Sequence, residues 1–433
     1  MTLTSTEVEP TPPVPPEQAS PDEPTVARPR GWRTDALVAA GYLLGAAYVM
    51  AHLLIDPVPG LSVPYGPLTA LIGPARTFAV AVALCLAGTA YAWYHVLSRH
   101  LLRHRAAAIL GGALGGFAPA MIAHAQGGLA QGELAQGELA RVAQFLVPFL
   151  IWRAVRLREP GRALSNGVIL GLLVACQAFL DEELLLLLAL GGLIFLVVYA
   201  AIRAPRLQPN RAPVRGSGLA FLRGLGVAAI VAAILVAYPM WIQVSGGPDH
   251  VVPRADRAGV DLFSYVAFPT PSLATWPVGS LHHARRVTEQ NTFYGWPLLI
   301  LLVGSVWWVR GGTVRAIAAT AGVLGVLSLG RDVTLSGKPT HLPAPWRWIG
   351  ELPLLRSVPA VDVALVVLPL VVLLFALFAD WGVAVIRREA DRFTTLAWYG
   401  LLVAALLPIA PTPVDAPAPP QFRAPAGWHG ESR

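Results

Sequence analysis

Three consecutive carboxylates, Asp181, Glu182 and Glu183, stand in the run CQAFLDEELLLLLAL, whose other residues are almost all apolar. A carboxylate can accept a proton from an attacking hydroxyl or help hold a divalent cation against phosphates. A charged side chain at a bilayer centre costs about 2.5–3.5 kcal/mol on insertion scales. Three in a row therefore belong at a membrane surface. Part of the stretch is explained by helix chemistry alone, because Asp is a preferred N-cap and acids in a first turn favour the helix dipole. Capping uses one or two acids, however, and three neighbours repel one another, so at least one is read as a site residue.

Other residues could share that chemistry. His124 stands in APAMIAHAQGG, and Asp56 in LLIDPVPG is the sole acid of its segment, where the following Pro also suits a turn. Farther on, GGPDHVVPRADRAGVDLFSYVAFPTPS and HHARRVTEQNTFYGWP mix Arg285 and Arg286 with aromatic residues. Cationic donors beside aromatic platforms suit a phosphate-linked sugar, and an amphipathic loop lying on lipid headgroups is an equal reading. His282 and His283 are adjacent, which makes them a weak metal pair. Arg331, Lys338, His341 and Arg347 add positive charge to a later segment, where Trp346 and Trp348 read as interface anchors. The segment AQGGLAQGELAQGEL over 125–139 holds three copies of a five-residue unit. Its leucines, spaced by five, do not hold one helical face. It reads as a local duplication, which makes Glu133 and Glu138 poor candidates for chemistry.

The elements that must position these residues follow from composition. Of 433 residues, 55% are hydrophobic and 13% are charged, against about 25% charged in soluble domains. This predicts an all-α, polytopic transmembrane helical bundle. With about 20 apolar residues per span, the runs are 36–55, 75–97, 106–123, 142–155, 165–180, 184–202, 222–242, 295–309, 314–330, 361–386 and 395–410, about eleven spans. Arginines cluster before the first run and after the second, fourth, sixth, eighth and tenth. By the positive-inside rule those gaps are cytoplasmic. The expected protein is multi-pass in the plasma membrane, with a cytoplasmic N-terminus and an external C-terminus. The acidic turn then lies outside, between spans five and six, with outer segments 56–74, 124–141, 243–294, 331–360 and the tail after 411.

Three regions are expected: a disordered, Pro/Glu-rich cytoplasmic tail over 1–33, a transmembrane domain over 34–410 with the long outer loop 243–294, and a short external Pro-rich tail over 411–433. The start lacks the basic and early apolar regions of a signal peptide. Cys85 and Cys176 lie in apolar runs and read as small buried hydrophobes. The net charge of +7 comes largely from arginines between apolar runs, so nucleic acid is not an expected partner. No Walker A sequence, GxSxG elbow, CxxC pair or HExxH occurs, and the missing phosphate loop argues against an ATP-driven pump.

Several stretches together resemble a family of actinobacterial membrane proteins of glycosyltransferase-like type, related to the GT-C superfamily. They include TFAVAVALCLAGTAYAWYHVLSRHL, GGALGGFAPAMIAHAQG, GVILGLLVACQAFLDEELLLLLALG, DLFSYVAFPTPSL, EQNTFYGWPLL and LLPIAPTP, and the resemblance covers roughly 36–415. It implies sugar transfer at the outer face, from a polyprenyl-phosphate donor to a glycan, lipid or protein acceptor, among membrane lipids. The family's acidic pair falls on Glu182 and Glu183, its span-three histidine on His124, and its acid before FYGWP on Glu289. Two of the chain's departures from the pattern bear on the site residues. The first outer loop is short, with Asp56 as its only acid, and Asp362 stands in VPAVDVALVV where the resemblance expects an arginine.

The expected machinery is thus Glu182, Glu183, Asp181 and Asp56 for catalysis, with His124, Arg285, Arg286, Glu289 and Arg331 for substrate. No cofactor is required with certainty, and a divalent cation is the one candidate. The rival readings are a non-catalytic member of the family and a lipid or glycan transporter.

Overall fold

The computed structural model describes residues 31–55, 66–131, 135–159, 161–203, 215–245, 259–267, 273, 292–309, 311–389 and 391–414, with backbone alone at 66, 127–131, 135–138, 215–217, 240 and 242–245. The helices are α1 (Trp32–Val49), α2 (Ala51–Ile55), α3 (Gly66–Ile72), α4 (Pro74–Val96), α5 (Arg105–Phe117), α6 (Pro119–Gln131), α7 (Ala135–Val142) and α8 (Val147–Arg156). They continue as α9 (Ala163–Leu180), α10 (Glu182–Arg203), α11 (Arg215–Ser245), α12 (Trp296–Trp308), α13 (Gly312–Leu327), α14 (Trp346–Ile349), α15 (Val363–Glu389) and α16 (Arg392–Leu406).

Each apolar run carries a helix, as expected where lipid leaves backbone groups no partner but one another. Seven stretches are long and apolar enough to cross a membrane: Pro74–Leu101, Arg105–Gln126, Ala163–Leu180, Glu182–Arg203, Gly218–Pro239, Ala360–Glu389 and Arg392–Ile409. Helices α12 and α13 are apolar but shorter.

The breaks have local causes. Ala118 precedes Pro119 and takes an extended ψ of 151°, the conformation a following proline favours, so the third run divides into α5 and α6. Asp181 is extended, at φ −157° and ψ 100°, and separates α9 from α10. The fourth run is shorter than expected. Its first residues form a 3-10 turn, Gln144–Leu146, and only α8 continues to the far end.

The described chain is mostly helical, consistent with the all-α expectation, and a short β-hairpin is added in one connecting segment. Strands β1 (Asp332–Leu335) and β2 (Lys338–Pro343) pair antiparallel, with Leu335 opposite Lys338. Ser336 and Gly337 between them both have positive φ, 52° and 75°, the geometry of a tight hairpin turn whose twist matches the strands. Helix periodicity carries no trace of it, because this segment is too polar to form a run.

Helix α15 is the centre of the bundle, buried along much of its length and packed against α5, α10, α12 and α13. Helices α9 and α11 meet through small residues. A Cβ on Gly167 would lie 2.5 Å from the Gly224 carbonyl oxygen, and one on Gly171 would lie 2.7 Å from that of Ala228. Close backbone approach through residues four apart is a common membrane helix contact.

The described ion pairs fall into two sets at opposite ends of the bundle. One holds Arg99–Asp35 at 2.9 Å and Arg156–Glu159 at 2.7 Å, with the His104 ring hydrogen-bonded to Asp380 at 3.0 Å. The other holds Arg141 with Glu183 and Asp362, each at 3.0 Å, and Arg331–Glu351 at 3.1 Å. Apart from Asp380 and Asp362, which lie within the tenth apolar run, the first set occupies gaps that the arginine alternation puts on one side and the second occupies gaps assigned to the other.

Candidate functional site

The three acids, equivalent in sequence, have different roles once the helix geometry is fixed. Asp181 caps α10, its Oδ1 accepting from the Leu184 backbone N–H at 2.9 Å. Glu182 is exposed on the first turn. Glu183 is half-buried, and its Oε2 accepts from an Arg141 Nη2 at 3.0 Å. One hundred degrees of rotation per residue separates the last two side chains, which is enough to send one outward and the other into the bundle.

Arg141 comes from the last turn of α7 and also stands 3.0 Å from the Asp362 carboxylate. Asp362 is 2% exposed and ends a short 3-10 turn, Ala360–Asp362, that leads into α15. One guanidinium thus joins α7, α10 and α15. The resemblance expects an arginine near position 362. Position 362 holds an acid, and the guanidinium beside it belongs to α7. Beneath it, Gln144 is 2% exposed and its Nε2 donates to the Arg141 carbonyl at 3.1 Å.

Neither Arg141 nor the role of Asp362 is on the list of residues the sequence nominates. A signal for Arg141 exists. It is the only arginine of the 124–141 segment, in a gap where the positive-inside alternation calls for none.

The other nominated residues are placed differently. His124 stands near the end of the third apolar stretch, Arg105–Gln126. It lies within α6, past the Ala118 break, and is 1% exposed in the main core. Arg331 pairs with Glu351. Trp348 is 64% exposed, as an interface anchor should be, whereas Trp346 is 5% exposed and belongs to the core. Asp56, Glu133, His282, His283, Arg285, Arg286 and Glu289 lie outside the described residues, and Glu138 is described only in its backbone.

Two of the quoted stretches meet. Ser264 of DLFSY is 2.5 Å from the Thr292 hydroxyl of TFYGWP, and the Tyr265 and Tyr294 rings stack at 6.4 Å. The Tyr265 hydroxyl lies 2.7 Å from that of Ser328. Asp261 fixes this assembly to the hairpin, accepting from the backbone N–H groups of Phe263, Ser336 and Gly337. Burial pushes the Tyr265 phenol up to about 12 and raises that of Tyr294 as well. Both stay protonated at neutral pH, so they can donate hydrogen bonds but cannot serve as resting bases.

Among the described residues, no three His, Cys, Asp or Glu side chains are grouped to hold a metal ion. Asp181 spends one oxygen on its cap and Glu183 one on Arg141, so the described acids do not fit a divalent site, and no step is derived through one. What the arrangement can do is hold a carboxyl group beside a guanidinium at a helix mouth. Compared with known proteins, the chain matches no family model, no curated protein and no solved structure.

Proposed function

We propose that this protein is an integral-membrane glycosyltransferase of GT-C-like architecture, with about eleven spans and a cytoplasmic N-terminus, that takes a sugar from a polyprenyl-phosphate donor at the outer face. The observation that carries the reading is the placement of Arg141 between Glu183 and Asp362 at the mouth of α10. Sugar transfer needs a base for the acceptor hydroxyl and positive charge for the departing phosphate. Glu183 takes the proton as the acceptor oxygen bonds to the anomeric carbon. The bond from that carbon to the phosphate oxygen breaks, and the lipid phosphate leaves with the electron pair, its charge met by Arg141. The long tail of the donor stays in lipid throughout.

A second reading has its own support. Arg141 already has two carboxylates, and the resemblance expects an arginine where Asp362 stands. A non-catalytic relative would keep this triad as a strut between three helices. Membranes containing the protein, incubated with radiolabelled polyprenyl-phosphate sugars, separate the two. Transfer that is lost in Glu183→Gln supports the enzyme. No transfer with any donor supports the strut, and movement of label across the membrane without a new glycosidic bond supports a transporter.

A further inference from the structure

Gln177 is wholly buried in α9, and among the described residues neither its Nε2 nor its Oε1 has a hydrogen-bond partner. One turn on, Asp181 uses Oδ1 for its cap, while Oδ2 is buried and likewise lacks a partner among the described residues. The two residues are joined by the Asp181 N–H donating to the Gln177 carbonyl at 2.8 Å. An unsatisfied buried polar group costs about 1–3 kcal/mol. Three such atoms within one turn are a feature that the fold by itself disfavours.

Their direction follows from helix geometry. Asn166, Leu170 and Gln177 lie within about 40° of one another around α9 at 100° per residue. Asn166 accepts from Arg153 of α8 at 2.8 Å, and Leu170 packs with Leu150 of α8. The helices run antiparallel, so the same face, continued toward Asp181, brings Gln177 to the start of α8. In the chain, that start is directly preceded by the 3-10 turn with Gln144 and, before it, the last turn of α7 with Arg141.

We infer that Gln177 and Asp181 form a subsite for the hydroxyls of a sugar, next to the Arg141–Glu183 pair. The amide offers a donor and an acceptor, and the free carboxylate oxygen is a second acceptor. A hydroxyl both donates and accepts, and so matches all three. A cation cannot accept from Nε2, and a phosphate would meet Asp181 with like charge. Identifying the hydroxyls as those of a sugar rests on the proposed function.

The test uses the full chain in lipid nanodiscs free of glycoside detergents, with mannose, glucose and galactose as probes in saturation-transfer NMR and calorimetry. The wild type is expected to bind at least one hexose. Gln177→Met should weaken that binding about tenfold or more, the loss of one to two buried hydrogen bonds. Its thermal midpoint should be unchanged or higher, because an unsatisfied amide is gone. Asp181→Asn, which keeps a capping side chain, should weaken binding without unfolding the protein. Equal binding by Gln177→Met overturns the inference, as does a wild type that binds none of the hexoses, which would leave the amide to water. A lower midpoint in Gln177→Met marks the amide as structural and also overturns it. The transfer assay on Glu183→Gln is read separately. Sugar binding without transfer keeps the subsite and sinks the enzyme, and transfer without any effect of Gln177→Met does the reverse.

Discussion

The Arg141 guanidinium is 3.0 Å from the Glu183 carboxylate, across the junction between α7 and the first turn of α10. Their side chains are 22% and 34% exposed, so the pair is partly shielded from water and from salt. The same nitrogen faces Asp362, whose side chain is 4% exposed. Two carboxylates held by one guanidinium make the cation the critical member, because its removal leaves two acids close together.

Arg141→Gln is therefore expected to destabilise the protein by about 1–3 kcal/mol, less than the 3–5 kcal/mol of a fully buried pair because water reaches Arg141 and Glu183. Adding Asp362→Asn should restore part of the loss. Thermal unfolding in nanodiscs measures both, and a double variant no better than Arg141→Gln would show that the two residues do not interact.

The acidic pair should divide. Glu183→Gln is expected to lower transfer by about a hundredfold or more, the usual range for a general base, and Glu182→Gln by no more than a few-fold, since it is exposed. Comparable losses in the two variants, at equal protein levels, would remove Glu183 from the role of base.

Sidedness can be read with single cysteines in a Cys85→Ala/Cys176→Ala background. Lys338→Cys lies on the exposed hairpin and Arg388→Cys at the exposed end of α15. On intact cells, an impermeant maleimide should label the first and reach the second only after lysis. The opposite pattern would invert the topology and move the acidic turn to the cytoplasmic face.

Gly171→Leu should disrupt the α9–α11 seam, because the first side-chain carbon already stands 2.7 Å from the Ala228 carbonyl. Overpacking of this kind costs about 1–3 kcal/mol or more. Gly192→Leu is the control, since nothing lies within 4 Å of its Cβ position. Unfolding midpoints that fall equally in both would argue against the seam.

Helix α16 should respond to acid. Asp391 caps it through the Thr394 backbone N–H at 3.0 Å, and this bond, ahead of smaller contributions, holds the carboxyl below its ordinary 3.8. A depressed folded value means that the cap stabilises above the unfolded pKa and is lost as pH falls through the folded one. Hydrogen exchange in the first turn of α16 should rise below about pH 4, as the Asp carboxyl protonates, and Asp391→Ala should remove that dependence.

Length, composition and apolar runs of about 20 residues were enough to predict helices long and apolar enough to cross a membrane, because a bilayer permits few ways of satisfying backbone groups. All eleven runs carry helices, and the breaks at Pro119 and Asp181 follow from residues legible in the sequence. The acidic turn was also legible as a break between two helices, since three charges cannot stay in hydrocarbon. What the sequence could not order was the three acids among themselves: the exposed Glu182 and the half-buried Glu183 differ by one step of helical rotation, and Asp181 is the extended residue before them. Nor could it find Arg141 as their partner, 42 residues away along the chain, or bring Asp362 to the same guanidinium. Those contacts exist because α7 stops beside the mouths of α10 and α15. The hairpin at 332–343 was invisible for a related reason, since its turn is set by two residues of positive φ and its position by Asp261, none of which leaves a periodic signal. Long-range packing decided which charges meet, and with that which residues can act together.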